Sequence, residues 1–225
     1  MNTAIIVAAG SGSRFSADQA KQFVSLLGKP LIIHTLEHFE ACLTIDEIVL
    51  VLSEAGRIEF ESFRSQFPLS KLKNVVTGGA IRAESVRNGL DSIDPAGANV
   101  VAVHDGARPL VSAEEISLTV EKASATGAAC LVGEVTDTIK TLESGIIQRT
   151  VDRSRLRRAL TPQAFRYEIL RRAFDAAALG DGVTDECYLV EKLGVEISIV
   201  EGSSRNIKIT RPEDLIFAEA ILAAE

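Results

Sequence analysis

The sequence predicts an α/β protein built on a doubly wound, mainly parallel β-sheet. Short apolar runs of strand length alternate with segments of helical periodicity along the 225 residues, as strands and crossover helices do in such folds. The first apolar run leads directly into a glycine-rich loop, which is the usual position of a ligand-binding turn in an α/β sheet. The length is typical of one such unit, so we expect residues 1–225 to form a single domain.

The predicted elements follow one another with short connections. Strands are expected at 3–7, 47–52, 74–77, 100–104, 129–135, 196–200 and 207–209. Helices are expected at 30–42, 54–66, 83–93, 113–126, 167–178, 185–192 and 212–223. The run Ser112-Ala113-Glu114-Glu115 is a capping box that marks one helix start. Ligands bind at the carboxyl ends of parallel strands, so the loops after the strands at 3–7, 74–77 and 100–104 should meet at one crevice.

One segment breaks the alternation. Residues 136–150, TDTIKTLESGIIQRT, show no helical period, and Ser144-Gly145 separate two β-prone runs as in a hairpin. A hairpin that projects from an α/β body has little core of its own and needs a partner surface. We therefore expect a β-arm inserted in the domain and a homodimer formed through it. A surface excursion without a partner is the alternative.

The composition excludes several classes of protein. Hydrophobic residues make up 46% of the chain, which indicates a folded protein, and no apolar run approaches the ~20 residues of a membrane span. The start lacks the basic region of a signal peptide, and the three cysteines are too scattered for a disulfide framework or a metal cluster. The net charge of −7 argues against nucleic-acid binding. We expect a cytoplasmic protein that binds neither nucleic acid nor membrane.

The loop at 8–22, AAGSGSRFSADQAKQ, is the strongest functional signal. Glycines allow backbone N–H groups to approach phosphate oxygens, and Arg14 and Lys21 can neutralise their charge. The loop differs from a dinucleotide-binding turn because Phe15 replaces the third glycine, and Gly28-Lys29 is followed by Pro30 where a Walker loop has Ser or Thr. The combination predicts a nucleoside triphosphate site.

Several separated motifs carry a resemblance to a known family. They are AAGSGSR at 8–14 with KQ at 21–22, GGAIRAESV at 78–86, HDGARP at 104–109, DTIK at 137–140, TVDRSRL at 150–156, LTPQ at 160–163, TDE at 184–186 and NIKITRPEDL at 206–215. On these residues the chain resembles the 2-C-methyl-D-erythritol 4-phosphate cytidylyltransferases over nearly its whole length. Two positions depart from the family pattern: Ala20 stands where many relatives have proline, and Arg157 where many have tryptophan.

The resemblance implies a Rossmann-like nucleotidyltransferase fold and a reaction. A cytidylyl group would pass from CTP to 2-C-methyl-D-erythritol 4-phosphate by in-line attack of the acceptor phosphate on the α-phosphate, with release of pyrophosphate. Such a nucleophile is already ionised and needs no general base, but two polyanions must be positioned and their charge neutralised. Ribitol 5-phosphate is the alternative acceptor, and TVDRSRL favours methylerythritol phosphate.

The resemblance also implies roles for individual residues. It assigns catalysis to Arg14, Lys21, Arg153 and Lys208. It assigns nucleotide binding to Ala8, Ala9, Gly10, Gly12, Gly79, Arg82 and Ser85. It assigns acceptor binding to Asp105, Arg108, Thr138, Arg153, Thr161 and Lys208. Mg²⁺ is expected on the triphosphate, with Asp105 as a candidate ligand. Thr138 and Arg153 lie on or beside the arm, so the family pattern has them reach the neighbouring subunit's site.

Other interpretations of the sequence remain open. His34-Thr35-Leu36-Glu37-His38 matches the inverted zinc-peptidase motif, with both histidines opposite an apolar helix stripe. A nucleotide-binding regulator without turnover is a further possibility, against which the presence of both Arg14 and Lys21 speaks. Lys208, between Ile207 and Ile209, could be an outward-facing strand residue, and His104 is expected to end a buried strand without acting in catalysis.

Overall fold

The computed structural model describes residues 1–10, 15, 20–180 and 182–224. Within this part of the chain the strands are β1 (Thr3–Ala8), β2 (Ser25–Leu26), β3 (Lys29–Pro30), β4 (Glu47–Leu52), β5 (Leu72–Thr77), β6 (Val100–Asp105), β7 (Ala128–Glu134), β8 (Lys140–Glu143), β9 (Ile146–Thr150), β10 (Arg157–Arg166) and β11 (Ser198–Glu201). The helices are α1 (Leu31–Ala41), α2 (Glu54–Phe63), α3 (Arg82–Asp91), α4 (Ala113–Thr126), α5 (Tyr167–Ala176), α6 (Glu186–Glu191) and α7 (Pro212–Leu222).

The described residues form a seven-stranded central sheet in the order β11-β7-β10-β6-β1-β4-β5. β1 lies parallel to both β4 and β6, β4 lies parallel to β5, and β11 lies parallel to β7. The chain runs from β1 outward to β4 and β5 and then returns to place β6 on the other side of β1. The strand order therefore reverses between β1 and β6, which is where open α/β sheets bind ligands.

Helices cover both faces of the sheet, which confirms the doubly wound prediction. One buried cluster packs α1, α2 and α4 against the sheet and contains Phe39 and Phe60. The other packs α3, α5 and α6 against the opposite face and contains Phe165 and Phe174. Successive strand residues alternate between the faces of the sheet, since Ile6 of β1 belongs to the first cluster and Ile5 to the second. Each of these helices of the described chain was predicted, with ends that agree to within a few residues.

The sequence interpretation missed β10, which pairs antiparallel with both β6 and β7. Two arginines open this strand and Pro162 lies within it, and proline is normally confined to edge strands or bulges. Here the proline falls where the register with β7 shifts between Ala159 and Gln163, so the missing N–H coincides with an interruption of the ladder. The central position of β10 makes the sheet mixed.

The predicted strand at 207–209 is wrong. This segment carries no strand pairing, and the Ile209 N–H donates to the Ala107 carbonyl at 2.8 Å instead. Ile209 is fully buried in a third cluster with Leu26 and Leu31 from β2 and α1. Burial of this isoleucine fixes the segment across the loop after β6, and it thereby positions Lys208.

The predicted hairpin is present as β8 and β9. Ser144 and Gly145 have φ of 51° and 81°, as a two-residue turn between antiparallel strands requires. Leu142, Ile146 and Ile147 on this arm are more than half exposed, and an isolated two-stranded ribbon is at best marginally stable in water. A dimer formed through the arm stays a prediction. No helix among the described residues is long and apolar enough to cross a membrane.

Candidate active site

A crevice of about 330 Å³ opens at the carboxyl ends of β1 and β6. It is lined by Val7, Ala8, Ala9, Gly10, Lys21, Gln22, Gly79, Ala80, Ile81, Arg82, Ser85, Asp105, Ala107, Lys208 and Thr210. The loops after β1, β5 and β6 therefore meet at one place, as the sequence predicted. The segment after β11 also reaches the crevice and contributes Lys208 and Thr210, which the parallel-sheet argument did not anticipate.

Close contacts between the 78–81 loop and α3 shape the wall of the crevice that was predicted to bind the nucleotide. A Cβ atom on Gly79 would lie 2.3 Å from the Glu84 Cβ, so no larger residue fits there without movement of α3. The Ser85 hydroxyl accepts from the Gly79 N–H at 3.1 Å and donates to the Ile81 carbonyl, and Glu84 accepts from the Ala80 N–H at 2.7 Å. The first turn of α3 therefore holds the 78–81 loop in place beside the end of β1.

Lys21 begins a short 3₁₀ turn, Lys21–Phe23, at the mouth of the crevice. Its ammonium donates to the Ile209 carbonyl at 2.6 Å, which joins the first loop to the segment that carries Lys208. Ala8, Ala9 and Gly10 line the same side of the crevice. Gly12 and Arg14, also predicted as site residues, lie outside the described residues.

Asp105 at the end of β6 is the electrostatic centre of the crevice. Among the described residues, its carboxylate contacts the cations of Arg82, with Nε at 3.0 Å from Oδ1, and of Lys208, with Nζ at 2.8 Å from Oδ2. The Arg108 Nε lies 3.6 Å from Oδ2, and its Nη1 donates to the Asn206 carbonyl at 2.8 Å. Several cations thus converge on one carboxylate, which leaves the crevice suited to further negative charge.

The Asp105 carboxylate stays ionised. Burial alone would raise its pKa, but the charges of Arg82 and Lys208 outweigh that effect and hold the pKa well below its usual range. A lowered pKa stabilises the native state above the usual value of ~4, and this stabilisation is lost only as the pH falls through the lower native value. The carboxylate is therefore negatively charged at neutral pH, where it pairs with the Lys208 ammonium.

A buried hydrogen-bond chain supports Asp105 from below. The Thr161 hydroxyl accepts from the Asp105 N–H at 3.1 Å and donates to Nδ1 of His104 at 3.0 Å. The His104 Nε2 donates to the Arg108 carbonyl at 3.2 Å. His104 is fully buried at the end of β6, as predicted, and burial lowers its pKa to about 3. Thr161, predicted to bind the acceptor, has its buried hydroxyl engaged in holding Asp105.

The buried imidazole predicts a pH dependence of stability. The unfolded chain takes up a proton on His104 near pH ~6.5, whereas the native state resists it until about pH 3. As the pH is lowered from about 6.5 to about 3, the free energy of unfolding should therefore fall by up to about 1.4 kcal/mol per pH unit. Urea melts of wild type and His104→Asn between about pH 4.5 and 6.5, above the range in which carboxylates titrate, measure the effect, and the variant should lose this slope. His34→Gln, which removes a histidine whose pKa is lowered less, should keep most of it.

Two predicted acceptor residues lie apart from this crevice. Arg153 is exposed at the base of the arm, where its Nη1 donates to the Thr136 carbonyl, and Thr138 is exposed at the start of the arm. Neither is among the described residues that line the crevice of their own chain. Their service to a neighbouring subunit stays a prediction.

The sequence interpretation missed the importance of Glu186. This residue opens α6 and is fully buried, and its two oxygens accept from Nη1 and Nη2 of Arg82 at 2.7 and 3.1 Å. The TDE motif at 184–186 was the available signal, but it suggested no role. A glutamate buried at the start of a predicted helix needs a cationic partner, and the sequence does not show which arginine or lysine is that partner.

The structure offers no protein-only metal site in the residues that it describes. Both Asp105 oxygens contact cations, so this carboxylate does not fit a direct metal ligand while Lys208 remains in place. In the zinc-peptidase motif, His34 Nε2 hydrogen-bonds to the Leu26 carbonyl at 2.8 Å and Glu37 pairs with Lys29 at 2.6 Å. Both of these side chains of the motif are therefore bonded to residues of β2 and β3.

Comparison with known proteins agrees with this geometry. The sequence model of the family 2-C-methyl-D-erythritol 4-phosphate cytidylyltransferase matches residues 2–224. A protein of that name from Bacillus velezensis is 48% identical over 223 residues, which are 98% of this chain and 95% of that protein.

Solved structures of similarly named proteins share the fold. The 4-diphosphocytidyl-2C-methyl-D-erythritol synthase of Anaerococcus prevotii superposes with a TM-score of 0.86 at 28% identity, over 99% of this chain and 96% of that chain. The 2-C-methyl-D-erythritol 4-phosphate cytidylyltransferase of Thermus thermophilus superposes with a TM-score of 0.78 at 32% identity, over 99% of this chain and 100% of that chain.

Proposed function

This chain belongs to the 2-C-methyl-D-erythritol 4-phosphate cytidylyltransferase family, and we propose that the crevice at the ends of β1 and β6 is where it performs the family's reaction. The enzyme transfers a cytidylyl group from CTP to 2-C-methyl-D-erythritol 4-phosphate and releases pyrophosphate. The observation that carries the placement is the convergence of Lys21, Asp105 and Lys208 on one crevice beside the glycine-rich loop. The relatives' names do not favour ribitol 5-phosphate as the acceptor.

The reaction needs charge neutralisation more than proton transfer. An oxygen of the acceptor phosphate attacks the α-phosphorus of CTP, the bond from that phosphorus to the bridging oxygen breaks, and pyrophosphate leaves with the electron pair. The attacking phosphate is already ionised, so no side chain has to remove a proton. The buried and neutral His104 fits this chemistry, because it lies beneath Asp105 and holds the strand end in place.

The nucleotide occupies the side of the crevice formed by the first loop. Backbone N–H groups of Ala8, Ala9 and Gly10 can approach phosphate oxygens closely, and the 78–81 loop with Ser85 lines the base and ribose end. Lys21 stabilises charge on the α-phosphate and on the departing pyrophosphate. Gly12 and Arg14 complete this loop by the family pattern.

The acceptor phosphate binds on the Asp105 side. Lys208 precedes the buried Ile209 in the chain, and its ammonium pairs with Asp105 at the crevice at 2.8 Å. Arg108 lies behind it with most of its side chain buried, and it adds positive potential. The acceptor anion takes a share of the Lys208 ammonium, which has three donors and can contact the carboxylate and a phosphate together.

The homodimer supplies the remaining acceptor groups. The exposed isoleucines and leucine of the arm support a contact with a second copy, and Thr138 and Arg153 lie at its base, away from their own crevice. In a twofold dimer each arm can reach the other subunit's crevice and complete two sites at once.

Mg²⁺ enters with CTP in this proposal, and the triphosphate oxygens and water supply most of its ligands. When bound, it neutralises charge on the triphosphate. The acidic side chains of the crevice support no larger share for the protein, because Asp105 is engaged with Arg82 and Lys208. The expected cytoplasmic location is supported by the free, buried thiols of Cys42, Cys130 and Cys187, which suit a reducing compartment.

Pyrophosphate release tests the proposed function. The assay compares CTP, ATP, GTP and UTP with methylerythritol phosphate and ribitol 5-phosphate in all combinations, in the presence of Mg²⁺. We expect release with CTP and methylerythritol phosphate far above every other pair. Comparable release with ribitol 5-phosphate, or release from CTP that does not depend on an acceptor, would contradict the assignment.

A further inference from the structure

The guanidinium of Arg82, which two carboxylates hold at the crevice, leads to an inference that rests on the function proposed above. Arg82 opens α3 and lines the crevice, where an arginine would be expected to bind nucleotide phosphates directly. All of its guanidinium nitrogens are instead engaged by carboxylates. Nη1 and Nη2 donate to the two oxygens of Glu186, and Nε donates to Asp105. Three of its five N–H groups therefore bind carboxylates, so the charge of the guanidinium is largely paired within the protein.

Glu186 is itself held from a neighbouring strand. Gln163 lies in β10 opposite Val103 of β6, and its Oε1 accepts from the Cys187 N–H at 3.0 Å. The Gln163 Nε2 donates to the Asp185 carboxylate at 2.8 Å, and Asp185 accepts from the Tyr188 N–H to cap α6. One buried glutamine thus fixes the start of α6 to the sheet beside the strand that carries Asp105.

The contacts form a continuous line from α6 to the crevice. It runs from Glu186 through Arg82 to Oδ1 of Asp105, and from Oδ2 of the same carboxylate to Lys208. Since Arg82 contacts one oxygen of Asp105 and Lys208 the other, the contact with Arg82 helps to orient the carboxylate that pairs with the Lys208 ammonium. The bidentate geometry of the Arg82–Glu186 pair makes this support directional.

We propose that Glu186 is a positioning residue of the acceptor site, which holds Arg82 against Asp105 and thereby places Lys208 for the acceptor phosphate. Its charge prevents Arg82 from turning into the crevice to compete for phosphate or from taking both oxygens of Asp105. The nucleotide side rests instead on the backbone of the first loop and on Lys21, whose ammonium donates to the Ile209 carbonyl. Glu186 should therefore affect the acceptor and not CTP.

The isosteric change Glu186→Gln tests this assignment. It keeps the shape of the side chain and removes its charge, so one charge-assisted hydrogen bond to Arg82 is lost. We expect the KM for methylerythritol phosphate to rise about 10- to 100-fold, which corresponds to one misplaced charged contact. The Kd of CTP, measured by calorimetry, should stay within about threefold. Glu191→Gln is the matched control, since it makes the same change on the exposed face of the same helix and should leave both constants unchanged.

A second variant keeps the test valid if Glu186→Gln does not fold. The double change Arg82→Gln with Glu186→Gln removes both members of the buried pair and leaves no uncompensated charge, and it should fold with the same selective rise in acceptor KM. A Kd for CTP that rises as much as the acceptor KM, or no change in either constant, would overturn the proposal. Failure of the proposed function would be separate, because the wild-type protein would then show no pyrophosphate release with CTP and methylerythritol phosphate.

Discussion

Replacement of Lys21 by alanine is expected to lower kcat by about 100-fold or more, the scale seen when a preorganised charge stabiliser is removed. Its ammonium is bound to the Ile209 carbonyl at the mouth of the crevice, so it is oriented before the substrates arrive. Negative charge moves onto the pyrophosphate as the bond from the α-phosphorus to the bridging oxygen breaks. Among the described residues of the first loop, Lys21 is placed to stabilise this charge. Its effect should therefore fall on the chemical step.

Steady-state kinetics with saturating CTP and acceptor check this expectation. Lys29→Ala is the matched control, because Lys29 lies on the nearby β3 and pairs with Glu37 away from the crevice lining. That variant should keep kcat within about twofold, as surface ion pairs contribute little. A Lys21→Ala enzyme with near-normal kcat and a raised KM for CTP alone would reduce Lys21 to uniform substrate binding.

Mixed dimers of two inactive variants are expected to regain activity if the arm completes the partner's site. Lys21→Ala and Arg153→Ala homodimers should each be nearly inactive. In a hybrid, one crevice combines the Lys21 lesion with the partner's Arg153 lesion, and the other crevice carries neither. The hybrid should then show up to about half of the wild-type activity per dimer, a proportion that follows from twofold symmetry.

A second pair of variants supplies the control for subunit exchange. Lys21 and Lys208 line the same crevice of the same chain, so a hybrid of Lys21→Ala and Lys208→Ala has one lesion in each site and should stay inactive. The exchange is verified by two different affinity tags. If the verified Lys21/Arg153 hybrid remains as inactive as its parents, Arg153 does not act across the dimer.

Much of the fold could be predicted from local pattern alone. The strands β1, β4, β6 and β7 are apolar runs bounded by turn residues, and the arm turn is marked by Ser144-Gly145. β10 was not predicted, because its proline and arginines argue locally against a central strand. Its pairing with β6 and β7 depends on tertiary contacts. The prediction of a strand at 207–209 was wrong for the opposite reason, since there the local pattern favours a strand that the tertiary structure does not form. Its apolar alternation is real, but Ile209 is buried against β2 and α1 without joining the sheet.

The candidate site was predictable in its members and not in its connections. The motif residues Lys21, Asp105 and Lys208 were named from the sequence, and the structure brings them to one crevice. The ion pair between Arg82 and Glu186 joins positions 104 residues apart, and no local pattern encodes such a pairing. The engaged hydroxyl of Thr161 likewise depends on which strand lies beside β6.

The division of one crevice into a nucleotide side and an acceptor side is tested most directly by Lys208→Ala. The measurement is the kcat/KM for methylerythritol phosphate beside the calorimetric Kd for CTP. The ammonium of Lys208 is held by Asp105 on the acceptor side, so kcat/KM should fall at least about 10- to 100-fold, the loss expected for a charged hydrogen bond, while the CTP affinity is kept. A collapse of CTP affinity with unchanged use of the acceptor would contradict this division.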